Sequence, residues 1–474
     1  MKNVIPMKAK TKAAFASAMS IHSTFRYLLA ALLLTSAGIQ QMSAGEIATG
    51  ERSSYWIKND GTLWAWGRNQ NYQLGTGENK THTEMVQPSG MTDCAEVITC
   101  VNGVFVIKKD RTLWGFGYNG NKDGQLGFGE DVIKRGAQIN SSTKQLYIKQ
   151  LATANCHTLV VTTDGELYTW GKNNYGQLGE DPDIDHISRP RQRLIEEKDE
   201  NGDKIIVSRV AVGNEHSLAL TTKGVLYAWG RNNNGQLCDA TADDSYKPKQ
   251  IDTDVSDVVA DGDWSAIVMN DGSLWVNRPR QQSKKRMLTG GIKQVVISSG
   301  HLYAIDNKNV LWSSPINGTL NKILDGVKKI SACGELAFAI KTDGTLWSVH
   351  DTPTMVLDNV SKVTTSGEHT IALKKDGTLW TWGKNDSGQL GDGHYYDQPS
   401  PIQIAADATP EPAEESDITG DVNNDGKVNV GDIMAVINIM AGQTSGLNKS
   451  KGDVNNDGQV NVGDVMAIIN IMAR

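Results

Sequence analysis

Eight times between residues 46 and 405, apolar and polar residues alternate into a short polar turn and out again. Aligned on the turn, the segments read NDGTLWAWG from Asn59, KDRTLWGFG from Lys109, TDGELYTWG from Thr163 and TKGVLYAWG from Thr222. They continue as NDGSLWVN from Asn270, NKNVLWSS from Asn307, TDGTLWSV from Thr342 and KDGTLWTWG from Lys375. Period-2 alternation on both sides of Asp-Gly predicts antiparallel hairpins, closed by type I′ turns with positive φ at both central residues. The strand before the turn alternates too, as in HTLVVT from His157 and HTIALK from His369. Successive turns lie 33 to 59 residues apart, the range of propeller blades and solenoid units. Ten of the twelve Trp fall at the two aromatic positions after the turn, a fixed register suited to packing one blade on the next.

Five repeats run on into a glycine loop: GRNQNYQLG, GYNGNKDGQLGFG, GKNNYGQLG, GRNNNGQLC and GKNDSGQLGDG. These loops lack the Gly-Lys-Ser/Thr ending and the following helix of a phosphate site, and they recur, so they read as structural turns. Loop and strand together resemble the regulator of chromosome condensation repeat, a β-propeller family, over about residues 46–405. The resemblance is strong in repeats 1, 3, 4 and 8 and fades in repeats 5 to 7. It implies an all-β propeller. The family usually has seven blades and eight hairpins are counted here, so seven or eight blades both stand. Glu46 to Thr49 enters a strand at the start of the domain, and PIQIA from Pro401 to Ala405 is expected to complete that first blade, closing the ring by strand exchange.

At the C-terminus the period changes to that of a helix. Ile433, Val436, Ile437 and Met440 recur at i, i+3, i+4 and i+7, as do Val465, Ile468, Ile469 and Met472. Each set predicts a helix burying one stripe against the other copy, leaving Met434 and Ile439 on an outer docking face. Before each helix stands one sentence written twice, GDVNNDGKVNVGD from Gly420 and GDVNNDGQVNVGD from Gly452. Oxygen ligands alternate through both: Asp421, Asn423, Asp425, the Lys427 carbonyl, Asn429 and Asp432, then Asp453, Asn455, Asp457, the Gln459 carbonyl, Asn461 and Asp464. With Gly426 and Gly458 at the sharp turn, this is the spacing of a calcium loop, and two loops call for two Ca2+ ions.

A loop followed by one helix, duplicated and without entering helices, resembles the dockerin module over about residues 417–474. The resemblance implies calcium binding and a cohesin-like partner on a scaffold or cell surface, often in polysaccharide-degrading assemblies. Val430-Gly431 and Val462-Gly463 stand where dockerins often carry cohesin-contacting hydroxyls, so calcium transfers more firmly than the partner. With a core this small, metal binding is expected to supply part of the folding free energy. Residues 406–416, Pro- and Glu-rich with no apolar pattern, read as a linker.

Composition adds an address. Lys8, Lys10, Lys12 and Arg26 precede an apolar run from Leu28 to Leu34 and then small residues, an export signal spanning 1–44 with Met19 as an alternative start. The net charge of −7 comes with no basic stripe, which excludes nucleic acid as a partner. No segment is long enough to span a membrane. Five scattered cysteines form no CxxC pair, so neither zinc nor a disulfide framework is indicated.

Candidate chemistry is thin. His157, His216 and His369 share one repeat slot, with His301 near it in a fourth repeat, and read as signature histidines satisfied by a neighbouring backbone group. Asp60, Asp110, Asp164, Asp271, Asp343 and Asp376 are turn residues. No nucleophile elbow or zinc-binding His pair occurs, which weighs against an enzyme, although propellers can assemble sites from distant loops. Between hairpins 3 and 4, RQRLIEEKDENGDKIIVSRVAVG reads as a charged hairpin standing off the ring. The expectation is a secreted, non-catalytic binding protein whose propeller recognises a protein or glycan and whose dockerin tethers it to a cohesin-bearing or surface assembly for polysaccharide breakdown. The alternatives are a glycan-active enzyme and a secreted enzyme inhibitor.

Overall fold

The computed structural model describes residues 46–407 apart from 102, 120–123, 130–131, 155–156, 196–200, 279–282, 289 and 317, and then 422, 428, 430–440, 454 and 460–472. The chain divides into two compact units, Met1–Asp407 and Ala408–Arg474.

In the first unit every hairpin lies at the centre of a four-stranded antiparallel sheet of consecutive strands, and there are eight such sheets. Blade 1 comprises Ile47–Thr49, Ser53–Ile57, Leu63–Gly67 and His82–Val86; blade 8 comprises Val360–Thr365, His369–Lys374, Thr378–Gly383 and Gln398–Ala406. The first strands of neighbouring blades touch around most of the ring, including Val360–Thr365 against Ile47–Thr49, so they line the axis. The fold is an eight-bladed propeller.

The ring is not closed by strand exchange. Ile47–Thr49 folds straight back on Ser53–Ile57, pairing Ala48 with Tyr55, so blade 1 already has four strands. Gln398–Ala406, which contains Pro401 to Ala405, pairs with Thr378–Gly383 as the outer strand of blade 8. The core lies between blades rather than at the axis, and blade 1 meets blade 8 as any other pair meets. Ile47, Trp56 and Trp66 pack on Ile371 and Leu379 there. Likewise Phe105 of blade 2 meets Trp170 of blade 3 edge-on, with centroids 6.3 Å apart.

The hairpin turns differ from type I′. Lys58 and Thr62 bracket the first one, with Gly61 N–H donating to Lys58 O at 2.8 Å and Lys58 N–H to Thr62 O at 2.9 Å. Gly61 has φ 84° while Asp60 stays at negative φ, the three-residue loop of a type I turn plus a left-handed bulge. Arg111 at φ 68° and Asn309 at φ 64° fill the glycine position in blades 2 and 6. The aspartate is kept for a hydrogen-bond relay. Asp60 Oδ1 accepts from Thr62 N–H at 2.8 Å and Thr62 Oγ1 at 2.7 Å, and Thr62 Oγ1 accepts from Trp64 Nε1 at 3.0 Å. Asp110, Asp343 and Asp376 repeat it with Thr112, Thr345 and Thr378, and these bonds hold the carboxyls below their ordinary range.

After blade 3, residues 201–206 carry no strand, so no protruding hairpin stands there among the described residues. The arginines lie in the outer strand His186–Arg193, where Arg191 and Arg193 pair with Glu180 at 3.2 and 2.5 Å. Cys94 and Cys100 are buried, unbridged thiols, which burial raises to about 11 and about 12. Cys156 lies outside the described residues.

Among the described residues the second unit has two helices, Val430–Met440 (α1) and Val462–Met472 (α2), packed on each other. The helical period holds and its phase is shifted. Ala435, Val436 and Ile439 are buried on α1 and Val465 and Ile468 on α2, whereas Met440, Ile469 and Met472 are exposed. Ile439, expected on the outer face, is core at 6% exposure. No helix among the described residues is long and apolar enough to cross a membrane.

Candidate functional site

The shared histidine slot is the first candidate for chemistry, and its geometry is that of a clasp. His157, His216 and His369 are fully buried, each with Nε2 against a serine hydroxyl of the next blade: Ser217 at 3.0 Å, Ser265 at 2.8 Å and Ser54 at 2.8 Å. Each serine in turn donates to the carbonyl of the glycine-loop glutamine in the preceding blade: Gln177, Gln236 and Gln389, each at 2.7 Å. Trp66 and Trp229 add Nε1 donors to Gln389 O and Gln177 O, both at 2.9 Å. The glycine loops are therefore structural. In each, a buried Asn accepts from the N–H of the Leu that follows the glutamine, as Asn385 Oδ1 does from Leu390 at 3.0 Å. Burial drives the imidazoles toward the neutral form, His157 to about 4 and His216 and His369 to about 3. They lie on different blades and face different serines, so they converge on no common point. His301 does not enter the clasp and lies beside His350, with ring centroids 6.1 Å apart.

A cleft opens at the seam between blades 8 and 1. It has a volume of about 360 Å³ and a wall of Glu51, Arg52, Arg68, Gln70, Asp386 and Tyr395, with Thr81 and Ser387. Arg52 reaches across to Asp386 at 3.2 Å, and Arg68 donates to Gln70 Oε1 at 3.3 and 3.1 Å. Arg52 Nε and Glu368 Oε2 are buried without hydrogen-bond partners, 4.0 Å apart. Sequence reasoning missed this cleft. The available signal was Arg52 in the place of Glu215 and Glu368, the residues that precede the histidine in blades 4 and 8.

In the second unit the described part of the expected metal site is its helix end. Asp432 and Asp464, at loop position 12, are fully buried in the first turns of α1 and α2. Asp432 Oδ1 accepts from Val422 N–H at 2.7 Å, tying position 12 of the loop to position 2. Asn461 Oδ1 accepts from Gly463 N–H at 2.7 Å and Asp464 Oδ2 from Asn461 N–H at 2.8 Å, a capping box. A carboxylate at position 12 of each loop is the donor type a hard divalent cation takes, so the described end of each loop fits a cation. Asp421, Asn423, Asp425, Lys427, Asn429, Asp453, Asn455, Asp457 and Gln459 lie outside the described residues.

Comparison with known proteins agrees with this architecture. Residues 419–473 match the dockerin type I domain. Residues 60–101, 164–220, 223–267 and 376–411 match the regulator of chromosome condensation (RCC1) repeat, and a second description of that repeat matches 148–177, 207–236 and 360–389. The first unit thus carries regulator of chromosome condensation repeats, and the C-terminus carries a dockerin type I domain, a class of domain that binds calcium. It is 30% identical over 212 residues to the ultraviolet-B receptor UVR8 of Arabidopsis thaliana, covering 44% of this chain and 45% of that protein. It is 29% identical over 225 residues to human protein RCC2, covering 41% of each. The chain thus spans less than half the length of these curated relatives. The structure of human WBSCR16 superposes with TM-score 0.52 at 20% identity, covering 72% of this chain and 93% of that one, a likeness of fold alone.

Proposed function

We propose that this is a secreted binding protein, in which the propeller presents a recognition surface for a protein or glycan and the dockerin docks it on a cohesin-like module of a surface or polysaccharide-degrading assembly. The observation that carries the reading is the pair of fully buried position-12 carboxylates, Asp432 and Asp464, at the ends of two tandem calcium-spaced loops. Two Ca2+ ions would be held by Asp421, Asn423, Asp425, the Lys427 carbonyl, Asn429 and Asp432, and by their counterparts Asp453, Asn455, Asp457, the Gln459 carbonyl, Asn461 and Asp464. Residues 1–44 act as the export signal, 46–405 as the ring and 406–416 as the linker to the module at 417–474.

The test uses the chain from Glu46 onward. Calorimetric titration with calcium should give two sites, and capture by an immobilised cohesin panel should require calcium. The double variant Asp421→Ala with Asp453→Ala should lose both. Calcium-independent capture, or no calcium binding, would remove the tether.

A further inference from the structure

We propose that the cleft at the seam of blades 8 and 1 is a subsite for a neutral oligosaccharide. This deepens the reading of the propeller as a recognition surface and rests on it.

The wall has the chemistry of a hydroxyl-binding site. Arg52, Arg68 and the Gln70 amide supply donors, interleaved with the carboxylates of Glu51 and Asp386 as acceptors. A sugar hydroxyl both donates and accepts, and a guanidinium or carboxylate can take two neighbouring hydroxyls at once. A wall of one sign would select phosphate or ammonium; this one carries both. Aliphatic side chains do not line it, which disfavours an apolar guest. Tyr395, 55% exposed, offers at the edge a ring face on which the C–H face of a pyranose can rest. The volume of about 360 Å³ lies at the small end of ligand pockets, which run from roughly 300 to 1,000 Å³.

The site is also held in place before any ligand arrives. Asn385 Nδ2 donates to Asp392 Oδ1 at 2.9 Å and His394 O at 3.1 Å, and Gly393 N–H donates to Thr83 O of blade 1 at 3.0 Å. These bonds fix the loop that carries Tyr395 across the seam, so little freedom is lost on binding. The same position in blade 4 is filled differently. There Glu215 pairs with Arg231, whose guanidinium also lies 4.7 Å from the Tyr175 ring. With Arg52 in place of that glutamate, Arg68 has no carboxylate at the equivalent position and turns to Gln70.

The experiment is isothermal titration of the calcium-loaded chain from Glu46 onward with cellohexaose, xylohexaose and mannohexaose, and with trigalacturonate as an acidic probe. At least one neutral hexasaccharide should bind, and Tyr395→Ala and Arg68→Met should each weaken it at least tenfold. Tyr147→Ala, at an exposed tyrosine away from the cleft, should not, and circular dichroism should show all variants folded. The proposal is overturned if no neutral sugar binds, if folded Tyr395 and Arg68 variants bind like the parent, or if trigalacturonate binds more tightly. Calcium-dependent cohesin capture is read on the same sample. Its survival with no sugar binding removes the subsite and leaves the tethered binder; its loss removes the tether whatever happens at the cleft.

Discussion

A buried histidine that must stay neutral gives the ring a pH limit. His157, His216 and His369 titrate at about 4, about 3 and about 3 in the folded chain, because burial penalises the imidazolium. The unfolded chain protonates them near 6.5, roughly 1.4 kcal/mol per pH unit for each group. Their contribution is complete above about pH 6.5 and is lost as pH falls toward 4. Asp257, raised by burial to about 6 despite Arg209 at 3.1 Å, has the opposite sign between about pH 4 and 6 and offsets one histidine. Asp261, which burial also raises, opposes the loss in the same sense as Asp257, so the net expectation is a loss of at most roughly 3 kcal/mol per unit between about pH 6 and 4. Urea unfolding at pH 7, 6 and 5 measures it, and His369→Gln should reduce the slope by about one histidine's worth. A slope unchanged in that variant would mean that the imidazole is not the titrating group. The slot itself was legible in the sequence, as was its structural character. Its partner was not, because the serines lie 60, 49 and 315 residues away and only the curvature of the ring brings them into reach.

Periodicity identified every hairpin and the two described C-terminal helices, and it failed on local phase. In the hairpins, Asp-Gly suggested a two-residue turn. The aspartate is needed instead for its relay to threonine and tryptophan, which lengthens the loop and leaves positive φ to the glycine. In the helices the apolar residues admit two neighbouring stripes, and the polar Asp432 decides between them. Once its carboxylate faces inward, the positions at i+3, i+4 and i+7 must follow, and these are Ala435, Val436 and Ile439. The two choices separate in a pair of variants. Ile439→Ala should destabilise the calcium-loaded module by about 2–4 kcal/mol, whereas Met440→Ala, at a residue 43% exposed, should change it by less than about 0.5 kcal/mol. Calorimetric melting of the full chain in calcium checks this, and the reverse order would restore the stripe through Met440. The other loop positions proposed to hold calcium form a strong pattern in sequence, since a calcium loop is local and its spacing needs no tertiary information.

At the scale of the whole ring, blade number and closure are separate questions, and only the first could be counted. Each repeat supplied one hairpin, so eight hairpins became eight sheets. Closure depends on where the two ends of the domain pair, which alternation does not specify. Strand exchange would remove a free edge, but a blade that is complete in itself can close the ring through its faces. The seam does so with the same parts as an interior junction: Ser54 bridges His369 and Gln389 O as Ser217 bridges His157 and Gln177 O. Asn59 N–H also donates to Asp407 Oδ2 at 2.7 Å, which brings the end of blade 8 beside the first hairpin turn. The ring should therefore tolerate new termini wherever no sheet is cut. Asp252 ends blade 4 and Val255 begins blade 5, and their junction retains the His216–Ser265 clasp. A permutant opened at Thr253, with Asp407 joined to Glu46 through a short Gly/Ser linker, should unfold in one transition within a few degrees of the parent ring. One opened at Lys223, between the two middle strands of blade 4, divides a sheet between the termini and should melt earlier. If the Lys223 permutant proved the more stable, shared strands would be the stronger closure, and the face-to-face seam would be the weak junction of the ring.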